Sequence, residues 1–207
     1  MVFKVCGMND LENLKAIESF QPDYFGFIFY KKSPRVLTLD TLPYFANTKK
    51  AGVFVNEEVD FILENQKHFN LDVIQLHGNE SIKDIIRLRT ELPSLTRIFK
   101  AIPVSEVKDF ESLEKYEEYI DVFVLDTKTN LKGGSGKKFD WQLLEHYKSD
   151  LPFLLSGGIG PDDFEAVNTI YKMQSRMLGV DINSKFEIKP GLKNVELLET
   201  FITKLNS

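Results

Sequence analysis

Cysteine, long apolar runs and positive charge are all scarce in this chain of 207 residues. Its one cysteine cannot support an internal disulfide framework, so the sequence predicts a reducing, cytoplasmic compartment. No apolar run approaches the roughly 20 residues of a membrane span. The short apolar stretch at the N-terminus, interrupted by Lys4, is unlike a secretory signal. We therefore expect a soluble cytoplasmic protein without a membrane partner.

Basic residues number 26 against 31 acidic ones, which gives a formal net charge of -5. Nucleic-acid-binding proteins usually carry a basic stripe, so no nucleic-acid partner is expected. A small anion remains a possible ligand, because a helix N-terminus supplies local positive potential. The three histidines share no metal-ligand spacing, and no metal site is expected.

Linker-like segments rich in glycine, serine and proline are also missing, so residues 1–207 are expected to form a single domain. The chain does contain eight short apolar runs, and longer polar segments with helical spacing lie between them. Nearly continuous apolar runs are typical of parallel strands that helices cover. The runs are 2–6, 24–29, 51–55, 72–76, 97–102, 122–126, 152–156 and 177–182.

Eight strand–helix units predict an α/β fold, a single (β/α)₈ TIM barrel that forms the catalytic domain. The alternative is an open, doubly wound sheet with fewer strands, but no GxGxxG motif follows the first strand. A helix is predicted after every strand, although the second, at about 39–47, contains Pro43. Ser105 is the expected N-cap of the helix after the fifth strand, and Pro161 is expected near the first turn of the seventh helix.

In such a barrel the chemistry lies at the carboxyl ends of the strands. Cys6 ends the first strand and is either a small buried apolar residue or, as a thiolate, a base. Asp126 ends the sixth strand and either caps the following loop or acts as a general acid. Only strands 7 and 8 separate these two strands around the ring, so the side chains are expected to face each other across the mouth.

Other polar residues also follow strands. Arg35, after strand 2, is suited to gripping a planar carboxylate through two hydrogen bonds; otherwise it is a surface arginine. Gln75 and His77 end strand 4, and His77 either contacts a substrate or stabilises its own loop.

Small residues follow strands 7 and 8, which is the usual phosphate site of this fold. Gly157 and Gly158 come after strand 7, and glycines let backbone N–H groups approach an anion closely. The two loops therefore predict a phosphate site, although the glycines alone would also suit a tight turn. The loop 127–141 is rich in glycine and lysine but lacks the GK[ST] ending of a P-loop. It is expected to be a lid or a plain solvated loop.

Eight blocks of residues occur in order along the chain: KVCG, GFIFYKKSPR, AGVFVN, VIQLHGNE, VLDT, GGSGKKFDW, LSGGI and GVDINSKFEIKPGLKN. Together they resemble the phosphoribosylanthranilate isomerase family of tryptophan biosynthesis, from residue 3 to about 195. The resemblance implies an Amadori rearrangement of N-(5′-phosphoribosyl)anthranilate to 1-(2-carboxyphenylamino)-1-deoxyribulose 5-phosphate. It implies no metal or organic cofactor, because the nitrogen of the substrate acts as the electron sink.

The resemblance also implies roles for individual residues. Cys6 corresponds to the general base of the family, and Asp126 corresponds to its general acid. The implied substrate-binding residues are Arg35, Gln75, His77 and Asp181, and the implied phosphate-binding residues are Gly157, Gly158, Asn183 and Ser184.

One segment departs from the family pattern. Members usually read Ser-Ser-Gly-Val-Glu after strand 8, whereas this chain reads Asn-Ser-Lys-Phe-Glu at 183–187. The missing glycine leaves the backbone donors to the phosphate open, and Lys185 is a candidate replacement that would supply charge directly.

Two other classes of function stay open. One is another phosphosugar-binding barrel, similar to indole-glycerol-phosphate synthase or a pentose-phosphate epimerase. A synthase would carry a catalytic lysine and a longer N-terminal segment, and a metal-dependent epimerase would carry a histidine–aspartate ligand set. The second class is a phosphate-binding barrel without catalytic activity. The sequence is compatible with either a monomer or a homodimer.

Overall fold

A computed structural model describes residues 1–128 and 138–206 of the chain. Eight strands close into a barrel in sequence order, and every neighbouring pair, including the first and last, is parallel. The predicted TIM-barrel class and the eight predicted strands are confirmed. The strands are β1 (Val2–Cys6), β2 (Tyr24–Ile28), β3 (Lys49–Phe54), β4 (Val73–Leu76), β5 (Arg97–Val104), β6 (Val122–Thr127), β7 (Phe153–Leu155) and β8 (Met177–Ile182).

Alternation along each strand separates the interior of the barrel from its outer face. A compact apolar cluster contributed by β2 to β7 fills the interior, and a larger set packs between the strands and the outer layer. Lys4 interrupts this pattern, because it shares the inward face of β1 with Val2 and is fully buried. The interior therefore has an apolar floor with a charged residue above it.

The described residues form five α-helices rather than eight. They are α1 (Leu11–Glu18), α2 (Val59–Phe69), α3 (Ile82–Glu91), α4 (Phe164–Met173) and α5 (Val195–Asn206). Pro161 opens a 3₁₀ turn, Pro161–Asp163, that runs directly into α4, as its predicted position indicated. None of the described helices has both the length and the apolar character that crossing a bilayer requires.

The α-helices predicted after β5 and β6 are wrong. The chain forms 3₁₀ turns there, at Val107–Ser112, Glu114–Tyr116 and Trp141–His146. Three buried side chains, Phe110, Leu113 and Tyr116, follow one another at a spacing of three, which is the repeat of a 3₁₀ helix. The expected N-cap is also wrong, because Glu106 occupies that position. Ser105 instead donates its backbone N–H and its hydroxyl to Asp109 Oδ2.

No helix forms over the predicted range 39–47. Pro43 lacks the N–H that a helix interior requires, and the segment is anchored instead by Phe45, whose ring packs edge-on against Phe25 at 5.0 Å. An open groove of about 1110 Å³ lies between residues 36–41 and α2.

Two short strands, β9 (Glu187–Lys189) and β10 (Leu192–Lys193), form an antiparallel hairpin after β8.

Aspartate side chains join neighbouring strands at the opposite rim of the barrel, at the amino ends of the strands. Each of three aspartates precedes an even-numbered strand, and its carboxylate accepts a backbone N–H from the odd-numbered strand before it. The bonds are Phe3 N to Asp23 Oδ2 at 2.8 Å, Lys50 N to Asp72 Oδ2 at 2.7 Å and Ile98 N to Asp121 Oδ2 at 2.7 Å.

Candidate active site

The carboxyl ends of the strands bring most of the predicted site residues to one rim of the barrel. Cys6 is the last residue of β1, and Asp126 and Asp181 lie near the ends of β6 and β8. His77 directly follows β4, and the two predicted phosphate loops follow β7 and β8. These placements are confirmed, whereas the chemical roles of the residues stay predictions.

Cys6 occupies space that Gly26 leaves open on the neighbouring strand. A Cβ atom at Gly26 would lie 2.7 Å from Cys6 Sγ and 2.9 Å from Cys6 Cα. The turn after Cys6 is fixed to β2, because Gly7 N and Met8 N both donate to Gly26 O, at 2.9 and 3.0 Å. Gly7 has a φ of 75°, a conformation that favours glycine.

Lys4 and Asp181 form an ion pair deeper in the barrel than Cys6. Lys4 Nζ lies 2.8 Å from Asp181 Oδ2, and the side chains are 0% and 5% exposed. Burial raises the pKa of the Cys6 thiol, the charge of Lys4 opposes that rise, and Asp181 adds to it. Burial also raises the pKa of Asp181, with Lys4 opposing. Asp181 Oδ1 is buried and has no hydrogen-bond partner among the described residues, so one acceptor of this carboxylate is unused.

Gln75, His77 and Asp126 form a single hydrogen-bonded row. His77 Nε2 lies 3.2 Å from Asp126 Oδ2, and Gln75 Nε2 lies 3.2 Å from His77 Nδ1. An amide nitrogen only donates, so with Gln75 in this orientation Nδ1 is the acceptor of the contact, and Nε2 is the ring nitrogen that faces Asp126. The other carboxylate oxygen of Asp126 accepts from Thr127 N at 2.8 Å. The side chains of His77 and Asp126 are 24% and 19% exposed, so a ligand in the mouth can reach both.

The glycine loop after β7 lies against Asp126. Gly157 and Gly158 have φ values of 84° and 69°, and their missing side chains leave the backbone accessible. A Cβ atom at Gly157 would lie 2.3 Å from Thr127 Oγ1 and 2.8 Å from Asp126 Oδ1. Asp126 and Thr127 therefore pack directly against Gly157 and leave no room for a side chain there.

In the loop after β8, one predicted phosphate ligand, Asn183, also makes a contact within the protein. Asn183 Oδ1 accepts from Lys193 Nζ at 2.7 Å, which leaves its N–H groups for an anion. Ser184 begins a 3₁₀ turn, Ser184–Phe186. Lys185 is exposed, and its Cβ lies 3.8 Å from where a Cβ at Gly160 would be. Lys185 is therefore next to both small-residue loops.

Arg35 is buried, 8% exposed, and is not the surface arginine of the alternative interpretation. Its Nε donates to both carboxylate oxygens of Glu187 at 2.9 Å, and its Nη2 donates to Oε2 at 2.7 Å. Lys193 Nζ donates to Glu187 Oε1 at 2.7 Å. Burial acts to raise the pKa of Glu187, but Arg35 and Lys193 together hold it below its ordinary value. We call Arg35, Glu187, Lys193 and Asn183 the rim network.

Three charged residues of the site were not predicted from the sequence: Lys4, Glu187 and Lys193. Lys4 had a usable signal, because a lysine inside an otherwise apolar strand must either be paired or turn to solvent. Glu187 and Lys193 had none, since Glu187 meets Arg35 from 152 positions away along the chain and Lys193 joins the site only through Glu187 and Asn183.

Two further predictions concern this rim. Most of the predicted lid, residues 129–137 of the loop 127–141, lies outside the described residues. Within the part of the chain that the structure describes, no three His, Cys, Asp or Glu side chains group in a way that could hold a metal ion.

Comparisons with known proteins identify the family. The profile of N-(5'phosphoribosyl)anthranilate (PRA) isomerase matches residues 3–204. A relative from Parabacteroides distasonis, named N-(5'-phosphoribosyl)anthranilate isomerase, is 40% identical over 211 residues, which cover 99% of this chain and 93% of the relative.

Solved structures agree with that match. The phosphoribosyl anthranilate isomerase of Thermotoga maritima is 33% identical with a TM-score of 0.81, and the superposition covers 100% of this chain and 99% of that one. A phosphoribosyl anthranilate isomerase solved in complex with reduced 1-(o-carboxyphenylamino)-1-deoxyribulose 5-phosphate is 30% identical, with a TM-score of 0.78 and coverage of 100% and 99%. The chain therefore belongs to the N-(5'-phosphoribosyl)anthranilate isomerase family.

Proposed function

We propose that this chain isomerises N-(5′-phosphoribosyl)anthranilate to 1-(2-carboxyphenylamino)-1-deoxyribulose 5-phosphate in tryptophan biosynthesis, as a single catalytic domain. The match over residues 3–204 supports the family activity. The observation that carries the proposal is the position of Cys6 and Asp126 at the ends of β1 and β6, around one mouth.

Asp126 is the general acid of the first step. In its acid form the carboxyl gives a proton to the ribose ring oxygen, and the bond between that oxygen and C1 breaks. The nitrogen lone pair forms a C1=N bond, which leaves an open-chain imine cation. His77, 3.2 Å from Asp126 Oδ2, is placed to hold the carboxyl in position.

Cys6 is the general base of the second step. The imine cation acidifies the C–H bond at C2, and the thiolate removes that proton. The electron pair of the bond forms C1=C2 and the C=N electrons return to nitrogen. The resulting enol gains a proton at C1 and loses one from its hydroxyl to give the 2-ketone, so product and substrate are isomers. The proton lost by Asp126 is balanced by the one gained by Cys6, and exchange with solvent restores both groups for the next turnover. The Lys4 charge favours the thiolate against the effect of burial.

Binding groups surround this acid–base pair. The N–H groups of Arg35 that Glu187 does not use are available for the anthranilate carboxylate, and Asp181 Oδ1 is available for a sugar hydroxyl. The backbone of Gly157 and Gly158, together with Asn183 and Ser184, supplies N–H donors for the phosphate, and Lys185 adds charge beside them.

The proposal extends to the binding partners, the cellular compartment and the oligomeric state. The substrate is a small phosphosugar, no nucleic acid is involved, and the single cysteine favours the cytoplasm. One solved relative is described as monomers made from a dimeric enzyme of Thermotoga maritima. Light scattering on the purified chain would decide between monomer and homodimer.

The activity can be tested directly, because phosphoribosylanthranilate fluoresces through its anthranilate group. Purified protein should consume that signal, and Cys6→Ser should lower kcat/KM by about 10²–10⁴-fold with an unchanged circular dichroism spectrum. If the wild-type chain leaves the signal unchanged, another phosphosugar barrel or a non-catalytic one is favoured. A Cys6→Ser variant as active as wild type would leave the activity but exclude Cys6 as the base. Growth without tryptophan of a strain lacking this step is a complementary test.

A further inference from the structure

The rim network uses only one edge of the Arg35 guanidinium. Glu187 accepts from Nε at 2.9 Å and from Nη2 at 2.7 Å. A guanidinium carries five N–H groups in a rigid plane. Nη1 and the second N–H of Nη2 therefore form another edge, and that edge has the geometry to bind a carboxylate through two parallel hydrogen bonds.

Glu187 is held in place from its other side. Lys193 Nζ and Gly191 N donate to Glu187 Oε1 at 2.7 and 3.2 Å. The side chains of Glu187 and Lys193 are 4% and 0% exposed. These contacts fix the carboxylate of Glu187. Glu187 therefore sets the orientation of the Arg35 guanidinium, rather than the reverse.

The charges of the rim network do not balance. Inside the rim network two cations, Arg35 and Lys193, meet one anion, Glu187, and the neighbouring Cys6 adds a negative charge that acts on Lys193 only when its thiol is ionised. Burial lowers the pKa of Lys193 and Arg35 adds to that effect, while Glu187 opposes it. A buried charge without a partner is unfavourable, so an anion that arrives here is stabilised.

The rim network is also close to the reacting groups. Gly7, the residue after Cys6, borders two of its members: a Cβ atom at Gly7 would lie 2.7 Å from Asn183 Oδ1 and 2.9 Å from Arg35 Cδ. A carboxylate bound to the free edge of Arg35 would therefore lie within one substrate length of Cys6.

We infer that Glu187 is a positioning residue for recognition of the aromatic carboxylate of the substrate, an inference that rests on the proposed function. Glu187 does not touch the substrate in this scheme. It holds Arg35 by the Nε edge so that the opposite edge faces the ligand, and Lys193 prevents the arriving carboxylate from displacing Glu187. The rim network thereby selects ligands that carry a carboxylate on the aromatic ring.

The test measures binding by calorimetry with two stable probes. One is reduced 1-(o-carboxyphenylamino)-1-deoxyribulose 5-phosphate, and the other is the same compound without the ring carboxylate. Glu187→Gln should weaken binding of the carboxylated probe by about tenfold or more and change binding of the other probe by less than about twofold. Glu196→Gln, an exposed glutamate at the start of α5, is the matched control and should change neither.

A double-mutant cycle with Arg35→Gln separates positioning from a purely structural role. In the Arg35→Gln background, Glu187→Gln should cause no further loss for the carboxylated probe. If Glu187→Gln does not fold, Glu187→Asp serves instead, because it keeps the charge but is too short to bridge Arg35 and Lys193.

Three outcomes would overturn the inference. Equal weakening of both probes would show a structural role, tighter binding of the carboxylated probe would show that Glu187 blocks Arg35, and additive losses would show that the two residues act independently. If the wild-type protein binds neither probe, the proposed function fails as well, so the two failures are distinguishable.

Discussion

Lys4 Nζ lies 2.8 Å from Asp181 Oδ2 inside the barrel, two residues below Cys6 on the same strand. This pair places both a cation that favours the thiolate of Cys6 and an anion that opposes it next to the proposed base. The protonation of Cys6 should therefore depend on which member of the pair is removed.

Removal of the Lys4 charge should shift the titration of Cys6 to higher pH. Lys4→Met leaves Asp181 buried without a partner, so the comparison is made in an Asp181→Asn background. There, Asp181→Asn alone should lower the pKa of Cys6 and the added Lys4→Met should raise it again. The rate of iodoacetamide labelling against pH measures this, because Cys6 is the only thiol. An unchanged labelling profile on adding Lys4→Met would contradict the electrostatic role.

Gly26→Ala should displace Cys6 and also strain the pairing of β1 with β2. The added Cβ would lie 2.7 Å from Cys6 Sγ and 2.9 Å from Cys6 Cα, so the sulfur must move. Displacement of a catalytic group by about 1 Å lowers the rate by about 10²-fold, and kcat/KM should fall to that extent. Gly52→Ala, where the added Cβ would meet Leu71 and Phe54, is the control for general packing strain. If both variants lose the same activity per folded molecule, the specific effect on Cys6 is excluded.

Lys185→Ala should weaken substrate binding through the phosphate. We expect KM to rise by about tenfold and kcat to change by less than about twofold, with the difference shrinking as salt screens the charge. Lys189→Ala is the matched control, because Lys189 is also exposed and lies on β9. Equal effects of the two variants, or a KM difference that salt leaves unchanged, would argue against a contact between Lys185 and the phosphate.

Asp72→Ala should destabilise the barrel without affecting catalysis. It removes the acceptor of Lys50 N at the amino-terminal rim, and the free energy of unfolding should fall by about 1–2 kcal/mol. Asp150→Ala removes an exposed aspartate that pairs with Arg176 and should change stability by less than about 0.5 kcal/mol. Urea denaturation midpoints compare the two variants, and kcat/KM should be unchanged in both. A loss of activity in Asp72→Ala at temperatures where it is folded would contradict a role confined to stability.

The strands and the residues at their ends were predictable because both depend on local sequence. Buried parallel strands read as short apolar runs, and polar residues at their carboxyl ends must reach the mouth of a closed barrel. Cys6, Asp126 and Asp181 were located by this rule alone. The segments after β2, β5 and β6 were not. Pro43 was a signal against a helix in the first of them, whereas a spacing of three, as between Phe110 and Leu113, fits an amphipathic α-helix as well as a 3₁₀ turn.

The rim network was beyond prediction for a different reason. Arg35 and Glu187 approach each other only because β2 and the hairpin after β8 meet at the same rim. No local spacing in the sequence indicates such a pair. The sequence was equally compatible with an Arg35 that has no partner within the protein. Sequence reasoning therefore found groups that could bind substrate but not the side chains that orient them.

The aspartates of the amino-terminal rim recur at a fixed interval. Asp23, Asp72 and Asp121 are spaced 49 residues apart. Each accepts a hydrogen bond that joins an odd-numbered strand to the even-numbered strand that follows it. The chain thus has an internal repeat of two-strand units. Among the described residues no such bond joins β7 to β8, whose pairing shifts register after Phe153. The unit that bears the proposed phosphate loops is the one without this bond, so its two strands are joined at the amino-terminal rim by backbone pairing alone among the described residues.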